Sequence, residues 1–172
     1  MKYITAFVAA FAMALVYTAA LPYWRILGVT PDLVLVFVAC WAMLRGQAEA
    51  MVVVPLAGTL RDLMTSDPLG TSVLALAPIV LLATLREFKV VETEFVPTLL
   101  VVVVGSVAYG IIALAVLAAT GQAVPWSEAL VRAVLPAAIV NALFTPIIYL
   151  PLRWFRSAQR PLVAGHGLAP PL

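Results

Sequence analysis

The sequence is poor in the residues from which metal sites and nucleophilic active sites are usually built. It contains one cysteine, Cys40, and one histidine, His166. A single cysteine cannot form an internal disulfide, and a zinc site needs several Cys or His ligands. Catalytic triads and Cys–His pairs require a histidine beside the nucleophile. Cys40 lies in an apolar run and is expected to be a buried core residue, whereas His166 lies in a Gly-rich tail and is expected to be solvated. No cofactor or metal is expected.

Charged residues are scarce as well. Lys, Arg, Asp and Glu make up 10% of the 172 residues, and hydrophobic residues make up 65%. Soluble domains are about half apolar and about a quarter charged. The composition therefore predicts an all-α integral membrane protein, and the length leaves no room for a separate soluble enzyme domain. A net charge of +2 gives no reason to expect a nucleic-acid partner.

Apolar runs separated by short polar segments predict a bundle of six transmembrane helices. The predicted spans are residues 3–21, 26–44, 47–63, 69–85, 95–119 and 130–152. Together they form one predicted domain, residues 1–156, followed by a Pro- and Gly-rich cytoplasmic tail, residues 157–172. The first run is longer than the apolar region of a signal peptide, which has about 7–15 residues. A retained helix is therefore favoured over a cleaved signal.

The Lys and Arg residues indicate the orientation of these spans. If the N-terminus is cytoplasmic, the inner flanks hold Lys2, Arg45, Arg86, Lys89, Arg153, Arg156 and Arg160. The outer flanks hold Arg25, Arg61 and Arg132. Cytoplasmic loops carry an excess of Lys and Arg, so both termini are predicted to be cytoplasmic. If residues 47–63 were re-entrant, the later loops would invert and the Lys and Arg distribution would fit the rule less well.

The third predicted span is short and ends in a polar turn, residues 58–70, that carries Arg61, Asp62 and Asp67. Its apolar run, residues 48–60, would give roughly 20 Å of helix, less than a hydrocarbon core of about 30 Å. A polar turn at this depth is tolerated only where protein or water covers it. The turn is therefore the first place to look for function. Because Arg61 stands beside Asp62, local charge neutralisation is the simplest interpretation of the two.

Three further polar positions have a structural interpretation beside a functional one. Asp32 follows Pro31 and fits the N-terminus of a helix, with a polar site as the alternative. Arg45 and Glu49 are four residues apart and could pair at the inner membrane edge, with a proton relay as the alternative. Asn141 lies deep in the last span and is expected to hydrogen-bond to backbone across helices. Phosphate-binding glycine loops are absent from the sequence, and nothing in it predicts catalysis.

The order of several short motifs resembles the MreD family of rod shape-determining proteins. The motifs are Pro31-Asp32-Leu33, Arg45-Gly46, Gly58-x-x-x-Asp62, Pro68-Leu69-Gly70 and, in the last helix, Asn141-Ala142-Leu143, Tyr149 and Arg153. Size, number of spans and the short basic tail are similar too, so the resemblance covers residues 1–156. Two features depart from the family pattern: Val54-Pro55 in the third span, and the Pro- and Gly-rich tail after Arg160.

The resemblance implies a non-enzymatic scaffold of the bacterial cell-elongation machinery in the cytoplasmic (inner) membrane. The implied partners are a bitopic MreC-like protein, an MreB-type actin-like filament, a RodA-type glycosyltransferase and a class B penicillin-binding transpeptidase. The implied role is to bind the MreC-like protein and help position peptidoglycan synthesis. The candidate residues for partner binding or for shaping the hairpin are Pro31, Asp32, Arg45, Gly46, Gly58, Arg61, Asp62, Gly70 and Asn141.

The resemblance also implies a possible similarity in fold to the substrate-binding subunits of energy-coupling-factor transporters, which are six-helix bundles. The alternative function is therefore a vitamin-like binding subunit of a membrane transporter. Its pocket would lie beneath the turn at residues 61–70. The polar groups available there are Asp32, Asp62, Asp67 and Asn141. An intramembrane enzyme is a third class, for which the sequence offers no catalytic group.

Overall fold

A computed structural model describes residues 12, 15, 26, 28–65, 68–86 and 94–158 of the chain. Within these residues the fold is helical, apart from one backbone bridge between Ile26 and Val29. The helices are α1 (Leu33–Arg45), α2 (Gln47–Met64), α3 (Thr71–Leu82), α4 (Phe95–Ala119), α5 (Trp126–Ala129) and α6 (Leu135–Ala158). A 3₁₀ turn (Ala83–Arg86) follows α3, and a π-helical turn (Leu130–Val134) joins α5 to α6. Nearly all of the predicted span 3–21, Asp67, and residues 159–172 of the tail lie outside the described residues, so the count of six spans stays a prediction.

Helix α1 is the central helix of the bundle. Its residues from Leu33 to Leu44 are all buried, and it contacts α2, α3, α4 and α6. The helix is shorter than the second predicted span, which begins at residue 26, because Ile26 and Val29 bond to each other through their backbones, with Gly28 between them at a φ of 80°. Asp32 then caps α1. With 13 residues, α1 is about 20 Å long, which is about two thirds of the thickness of a hydrocarbon core.

Helices α2 and α3 form the hairpin that the sequence predicts. Helix α2 runs through Pro55 without a break. The two helices pack closely at Gly58, where a Cβ atom would lie 2.8 Å from the backbone nitrogen of Val73. Helix α3 is shorter than the predicted span 69–85, because it ends at Leu82 and continues as the 3₁₀ turn. The hairpin places the last turn of α2 beside the first turn of α3.

Among the residues that the structure describes, two segments are long and apolar enough to cross a membrane, Phe95–Ala119 and Trp126–Arg156. The second begins before the predicted span 130–152, because α5 and the π-helical turn extend it. Pro136 explains the π-helical turn. Proline has no N–H to donate, and its ring would clash with the carbonyl four residues earlier, that of Arg132, in a regular α-helix. The wider turn, in which the N–H of Leu135 bonds to the carbonyl of Leu130, relieves that clash.

The long helices expose large apolar side chains. On α6 they form a stripe, called here the α6 stripe, of Leu135, Ile139, Leu143, Ile147, Leu150 and Trp154. On α4 the exposed ones include Val96, Leu100, Val103, Val104 and Ile111. Residues three or four apart share one face of a helix, so the α6 stripe is continuous. A surface of this kind is favourable against lipid or an apolar partner and unfavourable in water.

Candidate functional site

The candidate site is built around an ion pair between Asp32 and Arg61. Asp32 precedes the first residue of α1, and Arg61 lies in the last turn of α2. A guanidinium nitrogen of Arg61 donates to Oδ2 of Asp32, and the two side chains are only 8% and 12% exposed, respectively. The other oxygen, Oδ1, accepts the backbone N–H of Leu35 at 3.0 Å. The interpretation of Asp32 as a helix cap is therefore confirmed, and the same carboxylate also binds α2.

Asn141 connects this pair to the two long helices. Its Oδ1 accepts the backbone N–H of Asp32 at 2.7 Å, and its Nδ2 donates to Oγ of Ser106, on α4, at 2.9 Å. Asn141 is buried. The prediction that this side chain bonds to backbone across helices is confirmed. One amide thus joins α6 to α4 and to the start of α1.

Tyr109 of α4 extends the network to α3. The guanidinium carbon of Arg61 lies 4.7 Å from the centre of its ring, which is a cation–π distance. The hydroxyl of Tyr109 is 3.2 Å from that of Ser72, in the first turn of α3. Five helices, α1, α2, α3, α4 and α6, therefore meet in one set of polar contacts.

Asp62 has a separate task from Arg61. Its Oδ2 accepts the backbone N–H of Gly70 at 2.7 Å, and its Oδ1 accepts that of Ser72 at 3.0 Å. These N–H groups belong to the first turn of α3, where intrahelical acceptors are missing. The expectation that Arg61 neutralises Asp62 is wrong, because consecutive residues of a helix do not face each other. Asp62 instead closes the hairpin from within α2.

Each buried charge at the site has a partner, and this determines what the site can do. Asp32 and Arg61 form an ion pair, and the carboxylate of Asp62 accepts two backbone N–H groups. A buried pair gives little net stability, but removing one partner is costly because the other charge is left without compensation. In the part of the chain that the structure describes, no cluster of His, Cys, Asp or Glu has the arrangement of a metal site. The network is suited to holding helices in one arrangement.

The sequence-predicted site residues separate into three places. Pro31, Asp32, Arg61, Asp62, Gly70 and Asn141 lie at or near the polar network. Gly58 lies at the contact between α2 and α3. Arg45 and Gly46 lie at the opposite end of α1, where the chain turns into α2 with Gly46 at a φ of 99°. The guanidinium carbon of Arg45 is 5.2 Å from the ring centre of Trp41. A pairing of Arg45 with Glu49 stays a prediction.

The same end of α1 carries a second ion pair. Arg156, near the end of α6, pairs with Glu94, which precedes α4. It also donates to the backbone carbonyl of Leu44 at 3.1 Å. The last turn of a helix has carbonyls without intrahelical donors, so this bond caps α1 from another helix. Arg156 therefore joins the ends of α1, α4 and α6.

Three members of the network were not singled out from the sequence as polar partners: Ser72, Ser106 and Tyr109. Ser106 lies beside Gly105, where a Cβ atom would lie 3.2 Å from Ile79, so α4 and α3 pack closely there. Isolated serines and tyrosines in apolar helices carry no signal of their partner. The only available signal is that they are polar in an otherwise apolar segment.

A cavity of about 400 Å³ lies next to the network. Its polar lining comes from Asp32, Arg61, Ser106, Tyr109 and Asn141. Its apolar lining comes largely from small side chains of α4, the π-helical turn and α6, and residues 28–30 complete it. Gly110 and Val134 close α4 against the π-helical turn, since a Cβ atom at Gly110 would lie 2.7 Å from Val134. Two of the polar groups that the transporter alternative named, Asp32 and Asn141, line this space together with Arg61, whereas Asp62 does not line it.

Comparison with known proteins gives one match. A family model described as rod shape-determining protein MreD matches residues 1–157. No curated protein and no solved structure matches the chain. The similarity in fold to energy-coupling-factor subunits therefore has no support from solved structures.

Proposed function

The chain belongs to the MreD family of rod shape-determining proteins, and on this premise we propose that it is a membrane scaffold that binds an MreC-like protein. Its role in rod-shape determination and its place in a bacterial membrane follow from the family, which is one of structural membrane proteins. Binding of the MreC-like protein would help to position peptidoglycan synthesis and so maintain cell shape. The MreB-type filament, the RodA-type glycosyltransferase and the class B transpeptidase would join the larger complex.

The observation that carries this proposal is that the buried polar groups bond one helix to another. The carboxylate of Asp62 and the amide of Asn141 bind neighbouring helices at 2.7–3.0 Å, and the carboxylate of Asp32 binds Arg61 of α2. A scaffold needs a fixed arrangement of its helices, because a partner recognises a surface of constant shape. Polar groups committed to holding helices together support such a role better than they support turnover of a substrate.

The α6 stripe is the surface that we propose for the bitopic partner. Without a hydrophobic driving force between helices in lipid, association depends on close packing. The stripe presents a regular row of Leu and Ile side chains at helical spacing, against which one transmembrane helix could pack. The proposed orientation has several spans and both termini in the cytoplasm, as the Lys and Arg distribution favours. The transport-subunit alternative receives no support from the comparisons.

The proposal is tested by co-purification from the native membrane. The tagged chain is isolated in mild detergent and its partners are identified by mass spectrometry, with an unrelated multi-span protein carrying the same tag as the control. We expect an MreC-like protein together with the wall-synthesis enzymes. Recovery of an ATPase module without an MreC-like protein would overturn the scaffold proposal.

A pair of variants on α6 locates the surface. Leu143→Trp changes the middle of the stripe, whereas Ala138→Ser changes a buried position on the other side of the same helix. Both are expressed in cells that lack the native chain. We expect Leu143→Trp to reduce recovery of the MreC-like protein and to round the cells, and Ala138→Ser to do neither. Full recovery with Leu143→Trp would move the contact away from the stripe.

A further inference from the structure

The cavity beside the polar network has a structural origin in the length of α1. Helix α4 has 25 residues and is about 37 Å long, whereas α1, with 13 residues, is about 20 Å long. The central helix therefore fills the bundle only from the end near Arg45 to Asp32. Beyond Asp32 the long helices continue without it. The cavity occupies part of that space, and its base is the N-terminal end of α1.

The base of the cavity offers hydrogen-bond donors. The amide nitrogen of Asn141 has two hydrogens, of which one binds Ser106. The hydroxyl of Ser106 accepts that bond and keeps its own hydrogen. Neither remaining hydrogen has an acceptor among the residues that the structure describes. Both side chains are buried, at 2% and 4% exposure, and both line the cavity. A group that accepts hydrogen bonds would satisfy them.

The charge at the base selects against ions. Asp32 and Arg61 both line the cavity and neutralise each other. An anion placed there would be attracted by Arg61 and repelled by Asp32. A cation would be attracted by Asp32 and repelled by Arg61. An ion beside a neutral pair meets no net opposite charge to offset the hydration that it loses on entering. An uncharged acceptor, such as an amide, ester or hydroxyl group, avoids this cost.

The walls are apolar and the space is small. Ala113, Leu114, Ala133, Val134 and Ala137 line it above the polar base. Its volume of about 400 Å³ lies at the lower end of the range of about 300–1,000 Å³ seen for ligand pockets. A partner helix, with a diameter of about 10 Å including side chains, is too wide to enter it. The shape suits a small molecule with one polar end.

We propose that this cavity is a binding site for a neutral amphiphile, whose uncharged acceptor group bonds to Asn141 and Ser106 and whose apolar body lies along the small side chains of α4 and α6. Such a site lies outside the scaffold role and needs no transport activity. Its occupant would fill the part of the bundle that α1 leaves open. The natural source is either a neutral membrane lipid or a small free molecule.

The test uses three probes with the same chain and different charge: octanamide, octanoate and octylamine. The purified protein is reconstituted in nanodiscs, and binding is followed by saturation-transfer NMR and by the rise in the unfolding midpoint. We expect saturable binding of octanamide and at least about tenfold weaker binding of both ions. Ser106→Ala should weaken octanamide binding about 2- to 10-fold, the effect of one hydrogen bond. Equal binding of the three probes, or none, would overturn the proposal.

Matched variants localise the site. Ala137→Phe fills the cavity and should abolish octanamide binding, whereas Ile139→Phe adds the same ring on the α6 stripe and should leave it unchanged. If Ala137→Phe does not fold, Ala113→Leu fills the cavity from α4 instead. Unchanged octanamide binding in a folded cavity-filling variant would exclude this site. Native mass spectrometry of the wild type from its own membrane distinguishes the two sources. A bound mass equal to that of a membrane lipid, absent from the cavity-filling variant, indicates a lipid, and a smaller bound mass indicates a free molecule. A wild type without a bound molecule counts against both.

Discussion

Asp32 and Arg61 stand 29 positions apart in the sequence and form an ion pair that is almost completely buried. The pair joins the start of the central helix to the last turn of α2. Because Asn141 binds the backbone of Asp32, the same point is also fixed to α6. Each partner compensates a charge that would otherwise be isolated in an apolar environment, so the arrangement of these helices depends on both.

We predict that loss of either charge destabilises the protein more than loss of both. Asp32→Asn or Arg61→Gln alone leaves an uncompensated buried charge, at a cost of about 3–5 kcal/mol. The double variant leaves none and should cost less than the sum of the single changes. Thermal unfolding of the purified proteins in one detergent measures all three. Additive losses would show that the two charges act independently.

The role of Asp62 gives a second prediction. Asp62→Ala leaves the N–H groups of Gly70 and Ser72 without their acceptor, at about 1–3 kcal/mol for each group that stays buried and unsatisfied. The exposed neighbour Leu63 serves as control, because Leu63→Ala removes no buried contact. Hydrogen exchange at the start of α3 should increase in Asp62→Ala alone. If Asp62→Ala leaves exchange, complex assembly and cell shape unchanged, Asp62 has no part in shaping the hairpin.

One added methyl group should reduce stability by different amounts at Gly58 and at Gly105. At Gly58 a Cβ atom would lie 2.8 Å from the backbone of Val73, which cannot move without shifting α3. At Gly105 it would lie 3.2 Å from the side chain of Ile79, which can rotate away. Gly58→Ala should therefore cost about 1–3 kcal/mol from overpacking, even though alanine favours the helix. Gly105→Ala should be close to neutral. Equal unfolding midpoints for the two variants would contradict the packing of α2 against α3.

The ion pair at the other end of the bundle should contribute much less. Arg156 and Glu94 are 18% and 46% exposed, so water screens their attraction. We expect the loss of the ion pair in Arg156→Ala to lower the unfolding free energy by about 1 kcal/mol or less. The same variant also loses the hydrogen bond to the carbonyl of Leu44. Arg153→Ala, a nearby exposed arginine, is the control. Raising the salt concentration should reduce the difference between the two variants, and a difference that salt does not change would indicate another role for Arg156.

The sequence predicts the helices of this fold better than their contacts. Helix α2 differs from its predicted span by one residue, and α4 coincides with its span, because long apolar runs flanked by charge define such segments. Helices α3 and α6 differ from their spans by several residues, and α1 begins at Leu33 and not at residue 26. The apolar residues before Pro31 extend the hydropathy signal of α1, although Ile26 and Val29 bond to each other across a turn. Hydropathy measures the environment of a residue and does not distinguish a buried turn from a helix.

The sequence predicted which residues belong to the candidate site, but it did not predict which of their side chains pair. Asp32, Arg61, Asp62 and Asn141 were all singled out, because polar side chains in apolar segments are costly unless they have a partner. Their partners could not be derived from the sequence. Asp62 is next to Arg61 in the sequence, but Arg61 pairs with Asp32. Residue spacing within one helix gives the face on which a side chain lies. It gives no information about which other helix packs against that face.

The separation of Asp32 from Arg61 has a consequence for the synthesis of the protein. Asp32 leaves the ribosome 29 positions ahead of Arg61, and at about 5–20 residues per second this lead lasts roughly 1.5–6 seconds. During that interval the carboxylate of Asp32 cannot pair with Arg61, and an unpaired aspartate in the hydrocarbon core is unfavourable, by up to about 2.5–3.5 kcal/mol at the centre of a spanning helix. Complete insertion of α1 is therefore expected to wait for α2. The two segments would enter the membrane as one unit, and a ribosome stalled between them would leave α1 exposed to proteolysis.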